Sequence, residues 1–159
     1  MSFYESHIFP PVMEWATRGF RRQIADLIGQ AEGRVLEIGA GTGANLGFYQ
    51  SGVREIVGSE PVETMLEKAR GVARSTGHGV PISLTTGDAR ALPFADADFD
   101  TVVACLVFCT IPEPEKAAQE AFRVLRPGGR LVFFEHVVSP HGTTRAWQNR
   151  LNPLWRKMA

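Results

Sequence analysis

Val35-Leu-Glu-Ile-Gly-Ala-Gly-Thr-Gly-Ala-Asn45 decides the fold of this chain. Four residues of β-type character run straight into three glycines spaced two apart. A buried strand that ends in such a run can turn sharply and bring its backbone close to a ligand, because no Cβ stands in the way. The residues after the turn, 44–50, are expected to open a helix whose first N–H groups point at the carboxyl edge of a sheet. Taken alone, the turn fits two cofactor classes. Gly39, Gly41 and Ala44 satisfy the dinucleotide pattern G-x-G-x-x-G/A, and Glu60 follows roughly 20 residues later, where an acid holds ribose hydroxyls.

Working outward, the periodicity alternates between helix and strand. On the amino-terminal side, Met13, Ala16, Phe20, Ile24, Leu27, Ile28 and Ala31 recur at helical spacing, which predicts a helix over 12–31 that starts after Pro10-Pro11 and ends at Gly33. Arg34–Ile38 is the first strand. Glu55–Ser59 is a second, followed by a helix over Pro61–Ser75 with Val62, Met65, Leu66 and Ala69 on one face. Ile82–Thr86 is a third strand, and Asp98–Phe108 holds a fourth, apolar on both faces as buried parallel strands are. Pro114–Leu125 reads as a helix stopped by Pro127-Gly128-Gly129, and Arg130–Val137 as a fifth strand. Helix and strand in alternation demand parallel strands joined by right-handed crossovers, hence a doubly wound α/β sheet. Asp100, at the start of the fourth strand, reads as a cap for that strand rather than as a catalytic group.

Composition narrows the function classes. The chain has 159 residues, room for one domain and not for two. A formal net charge of zero removes the electrostatic reason to expect nucleic acid as a partner. The two cysteines, Cys105 and Cys109, fall in one apolar stretch and read as reduced core thiols. No Cys/His cluster has the spacing of a zinc site, so no metal is expected. Without a signal peptide or an apolar run of membrane-spanning length, the reading expects a soluble, cytoplasmic protein.

The remaining motifs separate the two cofactors. Glu37-x-Gly39-x-Gly41-x-Gly43 resembles the first motif of class I S-adenosylmethionine (SAM)-dependent methyltransferases. Glu60-Pro61 with Met65-Leu66 resembles the acidic position after that family's second strand. Gly87-Asp88-Ala89 with Leu92-Pro93-Phe94 resembles the loop that receives the adenine. Phe99-Asp100-Thr-Val102 and Leu125-Arg-Pro-Gly-Gly129 resemble its fourth-strand and pre-fifth-strand segments. A nicotinamide-dependent oxidoreductase accounts for the glycines and Glu60 but leaves 87–89 and 125–129 unexplained.

The resemblance implies a Rossmann-like fold and carries SAM contact over to Glu37, Gly39, Ala40, Gly41, Thr42, Gly43, Asn45, Glu60, Pro61, Met65, Asp88, Ala89 and Cys105. By implication, Gly39 and Gly41 admit the methionyl part, Glu37 organises the turn, and Glu60 accepts from the ribose hydroxyls. Asp88 would accept from the adenine amino group while the Ala89 N–H donates to the ring. Met65 and Leu92 either sandwich the adenine or pack in the core. His136, at the end of the fifth strand, is the candidate acid/base. Tyr4 and His7 would close over the site if residues 1–32 form a helical lid on a SAM-binding core over 33–137, with 138–159 a helical tail.

In wording, 43–49, Cys105–Cys109, Glu135-His-Val and Leu151-x-Pro-x-Trp155 resemble animal methyltransferase-like proteins that methylate alkyl thiols at lipid surfaces. The glycine turn and Leu-Arg-Pro-Gly-Gly resemble bacterial phosphatidylethanolamine and quinone methyltransferases. The implied acceptor is a small apolar molecule: a thiol, a lipid amine or a quinone-like ring, with peripheral lipid contact. The usual antiparallel hairpin after strand five has no counterpart in 138–159. Strand five would therefore be an exposed apolar edge, to be covered by a partner chain, by the tail folding back or by more of a longer protein; the expectation is a homodimer paired through it.

Overall fold

The structure, a computed structural model, describes residues 18–77, 79–135, 137, 140–143, 145, 146 and 150. Tyr4, His7, His136 and most of the aromatic tail, and with them the lid and acid/base expectations, lie outside the described residues. Of the tail, residues 142, 143, 145, 146 and 150 are helical.

Five parallel strands form one sheet: β1 (Gly33–Ile38), β2 (Val53–Glu60), β3 (Ile82–Thr86), β4 (Phe99–Cys105) and β5 (Leu125–Phe134), in the order β3-β2-β1-β4-β5. The helices are α1 (Arg21–Ile28), α2 (Glu63–Ser75) and α3 (Pro114–Val124). This is the doubly wound α/β architecture that the alternation requires, and β5 is an edge strand among the described residues.

Side-chain alternation along β1 divides the core between the two faces. Val35 points to the side where Ile24 and Ile28 of α1 pack with Leu46, Tyr49 and Ile56. Leu36 and Ile38 point to the other, where Ala121 and Val124 of α3 meet Val57, Leu92, Phe99 and Val102. Glu37 follows Val35's side and is therefore buried under α1's layer, at 1% exposure. At the amino end of the sheet, Asp100 accepts from the Arg34 N–H at 2.6 Å and from Arg54 at 2.7 Å, and pairs with Arg126. That is the structural role its position suggests.

Four local expectations need correction. Residues 44–50 form no helix, only a 3-10 turn at Leu46–Phe48. Gly43 and Gly47 lower helix propensity, and the Asn45 and Tyr49 side chains are drawn inward to Glu37 instead. α1 stops at Ile28, and Gly33 lies inside β1 at φ +71° rather than ending the helix. Pro127-Gly128-Gly129 does not separate α3 from β5. It lies within β5 as a bulge, with Gly128 at φ +78°, where pairing with β4 jumps from Leu125–Phe99 to Arg130–Thr101. Finally, β4 ends at Cys105, and the reversal that follows leaves Cys109 exposed rather than in the core; both thiols are free.

No helix of the described residues is long and apolar enough to cross a membrane.

Candidate functional site

The sheet order reverses between β1 and β4, and there the loops leaving the carboxyl ends of neighbouring strands part to opposite faces and open a crevice. A cleft of about 380 Å³ occupies it, within the range of small-molecule sites. Its walls come from the ends of β1 (Ile38, Gly39, Gly41), β2 (Ser59 to Val62), the turn after β3 (Gly87 to Arg90) and the segment after β4 (Cys105 to Val107, Thr110 to Pro112), with Met65 from α2.

The glycine turn is shaped by backbone conformation. Gly39, Gly41 and Gly43 adopt φ of +68°, +53° and +82°, the left-handed region in which a side chain is strained. At Gly39 a Cβ would also collide with Val107 across the cleft floor. The turn is tied to β2 by the Ser59 carbonyl, which accepts from the N–H groups of Gly39 at 2.8 Å and Ala40 at 3.1 Å.

Two carboxylates frame this turn. Glu60 is 6% exposed; one oxygen accepts from the Gly41 N–H and the other from the Val62 N–H, each at 3.1 Å. Burial pushes its carboxyl above the usual range, and those two N–H bonds oppose the shift. Each oxygen keeps a further lone pair toward the cleft. Glu37 lies behind the turn and does not line the cleft. It accepts from Asn45 Nδ2 and Tyr49 OH, each at 2.9 Å, and burial pushes it up to about 7. Tyr49 is a partner that sequence reasoning missed; its signal is an aromatic hydroxyl twelve residues past a buried acid, legible only once the turn is folded.

The remaining predicted residues divide plainly. Gly39, Gly41, Glu60, Pro61, Met65, Asp88, Ala89 and Cys105 come together around the cleft. Ala40, Thr42, Gly43 and Asn45 stand behind it, Gly43 pressed against Ala69 and Leu46. Leu92 packs in the core under the third-strand loop, not in the cleft wall. Asp88 is gripped by Arg90, whose guanidinium reaches it at 2.7 Å and also pairs with Glu113; the contact holds the Asp88 carboxyl at about 2. Cys105 is pushed up to about 12 by burial, with Glu37 and Glu135 adding to it, so it stays a neutral thiol at pH 7.

Sequence reasoning also missed the clamp behind the Asp88 loop. Glu120 accepts from the Leu92 N–H at 2.8 Å, and Arg123 donates to the Leu92 and Phe94 carbonyls at 3.0 and 2.8 Å.

The cleft suits an adenosyl ligand on three observations. Gly41 lines it with bare backbone, where an added Cβ would meet only the Gly39 carbonyl at 3.9 Å, and Glu60 offers a buried carboxylate with spare acceptor capacity. The Ser59 hydroxyl in the wall is buried and has no hydrogen-bond partner among the described residues. No group of three metal-ligating side chains occurs among the described residues.

Comparison with known proteins agrees with this geometry. The methyltransferase domain family matches residues 36–133. The chain is 40% identical over 150 residues to thiol S-methyltransferase TMT1B of Homo sapiens, covering 91% of this chain and 60% of that protein. It is 37% identical over 131 residues to phosphatidylethanolamine N-methyltransferase of Cereibacter sphaeroides, covering 82% and 64%. Among solved structures, the YcgJ protein from Bacillus subtilis superposes with a TM-score of 0.70 at 27% identity, over 86% of this chain and 64% of that one. The chain thus spans about 60% of the length of the curated relatives it matches. The family match runs through 87–89 and 125–129, the segments that a nicotinamide-dependent oxidoreductase left unexplained. With its glycine turn, acidic second-strand end and crevice at the reversal of strand order, the chain belongs to the SAM-dependent methyltransferases, with S-adenosyl-L-methionine as the family's cofactor.

Proposed function

We propose that this chain binds SAM in the β1–β4 crevice and transfers a methyl group to a small apolar acceptor: a thiol, a lipid amine or a quinone-like ring. The observation that carries the reading is the pairing of Glu60 with the Gly39–Gly41 turn in one cleft whose opposite wall is apolar, formed by Leu106, Val107, Ile111 and Pro112. When bound, SAM supplies a methyl group already activated by its sulfonium, so the protein's task is to position an acceptor and exclude water.

In this reading Glu60 accepts from the ribose hydroxyls through the lone pairs left after its two backbone bonds. The Gly39–Gly41 backbone lies against the methionyl part, and Glu37 holds that turn from behind through Asn45 and Tyr49. Met65 lies over the adenine. Asp88 accepts from the adenine amino group while remaining paired with Arg90, and the Ala89 N–H donates to the ring. Cys105, a neutral thiol, contributes shape and no nucleophile. His136 is our candidate for taking the acceptor's proton. The acceptor chemistry is supported by the relatives' names, one a thiol and one a phosphatidylethanolamine methyltransferase.

We also propose that two copies pair through the open edge of β5; Phe133 of β5, at 56% exposure, and Phe122 of α3, at 67%, are large apolar side chains left exposed. Zero net charge gives no pull toward nucleic acid.

The test is mass spectrometry with isotopically labelled SAM against panels of alkyl thiols, lipid amines and quinols. One panel should gain the label. SAM binding with no transfer to any panel would contradict the reading and favour a SAM-binding subunit instead.

A further inference from the structure

We infer that Glu135 is a positioning residue for the acceptor-facing wall of the cleft, supplying a carboxylate that fixes the loop after β4. The inference rests on the proposed function only for what the wall faces; the contacts themselves stand apart from it.

Immediately after Cys105 the chain reverses. Leu106 takes φ +58°, in the left-handed region that strains a non-glycine residue. Val107 follows at φ −114°, ψ −48°. This change of hand aims successive N–H groups into one concavity, an arrangement that selects anions. Glu135 fills it. One of its oxygens accepts from the N–H groups of Val107 and Phe108, both at 2.8 Å, and the other accepts from the Cys109 N–H at 3.4 Å. The Leu106 N–H donates to the Phe134 carbonyl at 2.7 Å. Four successive N–H groups, 106 to 109, are thus held by two adjacent residues at the end of β5.

The segment held in this way is a wall of the cleft. Val107 fills the space that any side chain at position 39 would need, so the loop and the glycine turn are in register with each other. Thr110 closes the turn by donating to the Val107 carbonyl at 2.8 Å, and Thr110, Ile111 and Pro112 extend the wall. A strained residue persists where its surroundings over-determine it, and here the Glu135 carboxylate does so. An in-line transfer is sensitive to displacements of about 1 Å. The placement of this wall therefore sets where an acceptor can stand.

The test uses Glu135→Ala and Glu135→Gln in the whole 159-residue chain. Formate serves as a replacement carboxylate and formamide as its neutral counterpart. Amide exchange at 107–109 and calorimetry with S-adenosylhomocysteine are the readouts. In the wild type these amides should be protected and indifferent to formate. In Glu135→Ala protection should be lost and ligand affinity should fall about tenfold, a loss in the range of one or two charge-assisted hydrogen bonds. Formate, and not formamide, should restore both. Glu135→Gln keeps one acceptor oxygen, so it should protect 107 and 108 and expose 109. If Glu135→Ala fails to fold, that pattern in Glu135→Gln decides the matter. Unchanged protection in a folded Glu135→Ala, no rescue by formate, or full protection of all three amides in Glu135→Gln would overturn the inference. A wild type that binds no S-adenosylhomocysteine yet shows the expected exchange pattern would overturn the proposed function instead and leave the role of Glu135 in the loop intact.

Discussion

Glu60 and Glu37 are both buried acids beside the same turn, yet their chemistry differs. Each oxygen of both acids accepts one bond, from the Gly41 and Val62 N–H groups at Glu60 and from Asn45 and Tyr49 at Glu37, but only Glu60 lines the cleft. Glu60→Ala should weaken SAM binding by about 1.5–3 kcal/mol through lost charge-assisted hydrogen bonds, read by calorimetry; unchanged affinity would mean that the ribose lies elsewhere. For Glu37 the effect is on pH dependence. Its folded-state pKa of about 7 lies above the ordinary value of 4.5, so between those limits the folded chain binds more protons than the unfolded one. This carboxyl therefore adds stability as pH falls from 8 to 5, and removes it as pH rises through 7. Glu37→Gln cannot titrate, so the wild type should gain about 2–3 kcal/mol relative to it over that interval in chemical denaturation. A pH-independent difference would contradict the burial. Glu60 stood out from its spacing to the glycines and Glu37 through the family resemblance. Their division of labour was not legible, because it depends on strand alternation placing 37 under the sheet's helical layer and 60 at its edge.

Among the elements, the strands were the most legible, since buried parallel strands carry long apolar runs such as those around Leu36 and Val102. What misled was glycine. In 39–43 it marks left-handed positions and was read correctly. In 43–47 it weakens the helix that the strand-and-turn reading leads one to expect, and in 127–129 it makes a bulge within β5 where sequence alone suggests a stop. The two uses can be told apart by mutation. Gly39→Ala should cost about 2–4 kcal/mol, from its φ of +68° and from the collision with Val107. Gly47→Ala meets nothing within 4 Å and should stay within about 0.5 kcal/mol of wild type by the same denaturation assay. Equal costs would mean that the turn is not the constrained element described.

At the scale of the whole molecule, the five-strand sheet leaves the β5 edge open and the Phe122 and Phe133 side chains exposed among the described residues. Wild-type chain should sediment as a dimer, and Phe133→Glu should shift it toward monomer with its fold retained; a monodisperse wild-type monomer would refute the pairing. The doubly wound parallel sheet follows from the α/β alternation and was readable from sequence; its strand order, and so the place of the reversal, was not, because the same alternation serves more than one order. The loop wall held by Glu135 was not, because its carboxylate and the amides it binds lie some 27 residues apart and meet only through the β4–β5 pairing. The central claim, that the crevice between β1 and β4 holds an adenosyl sulfonium ligand, is tested most directly by isothermal titration of the folded chain with SAM and S-adenosylhomocysteine. One ligand per chain, with heat released by both and affinity for both weakened in Glu60→Ala, is the predicted result. A folded chain that gives no heat with either would contradict it.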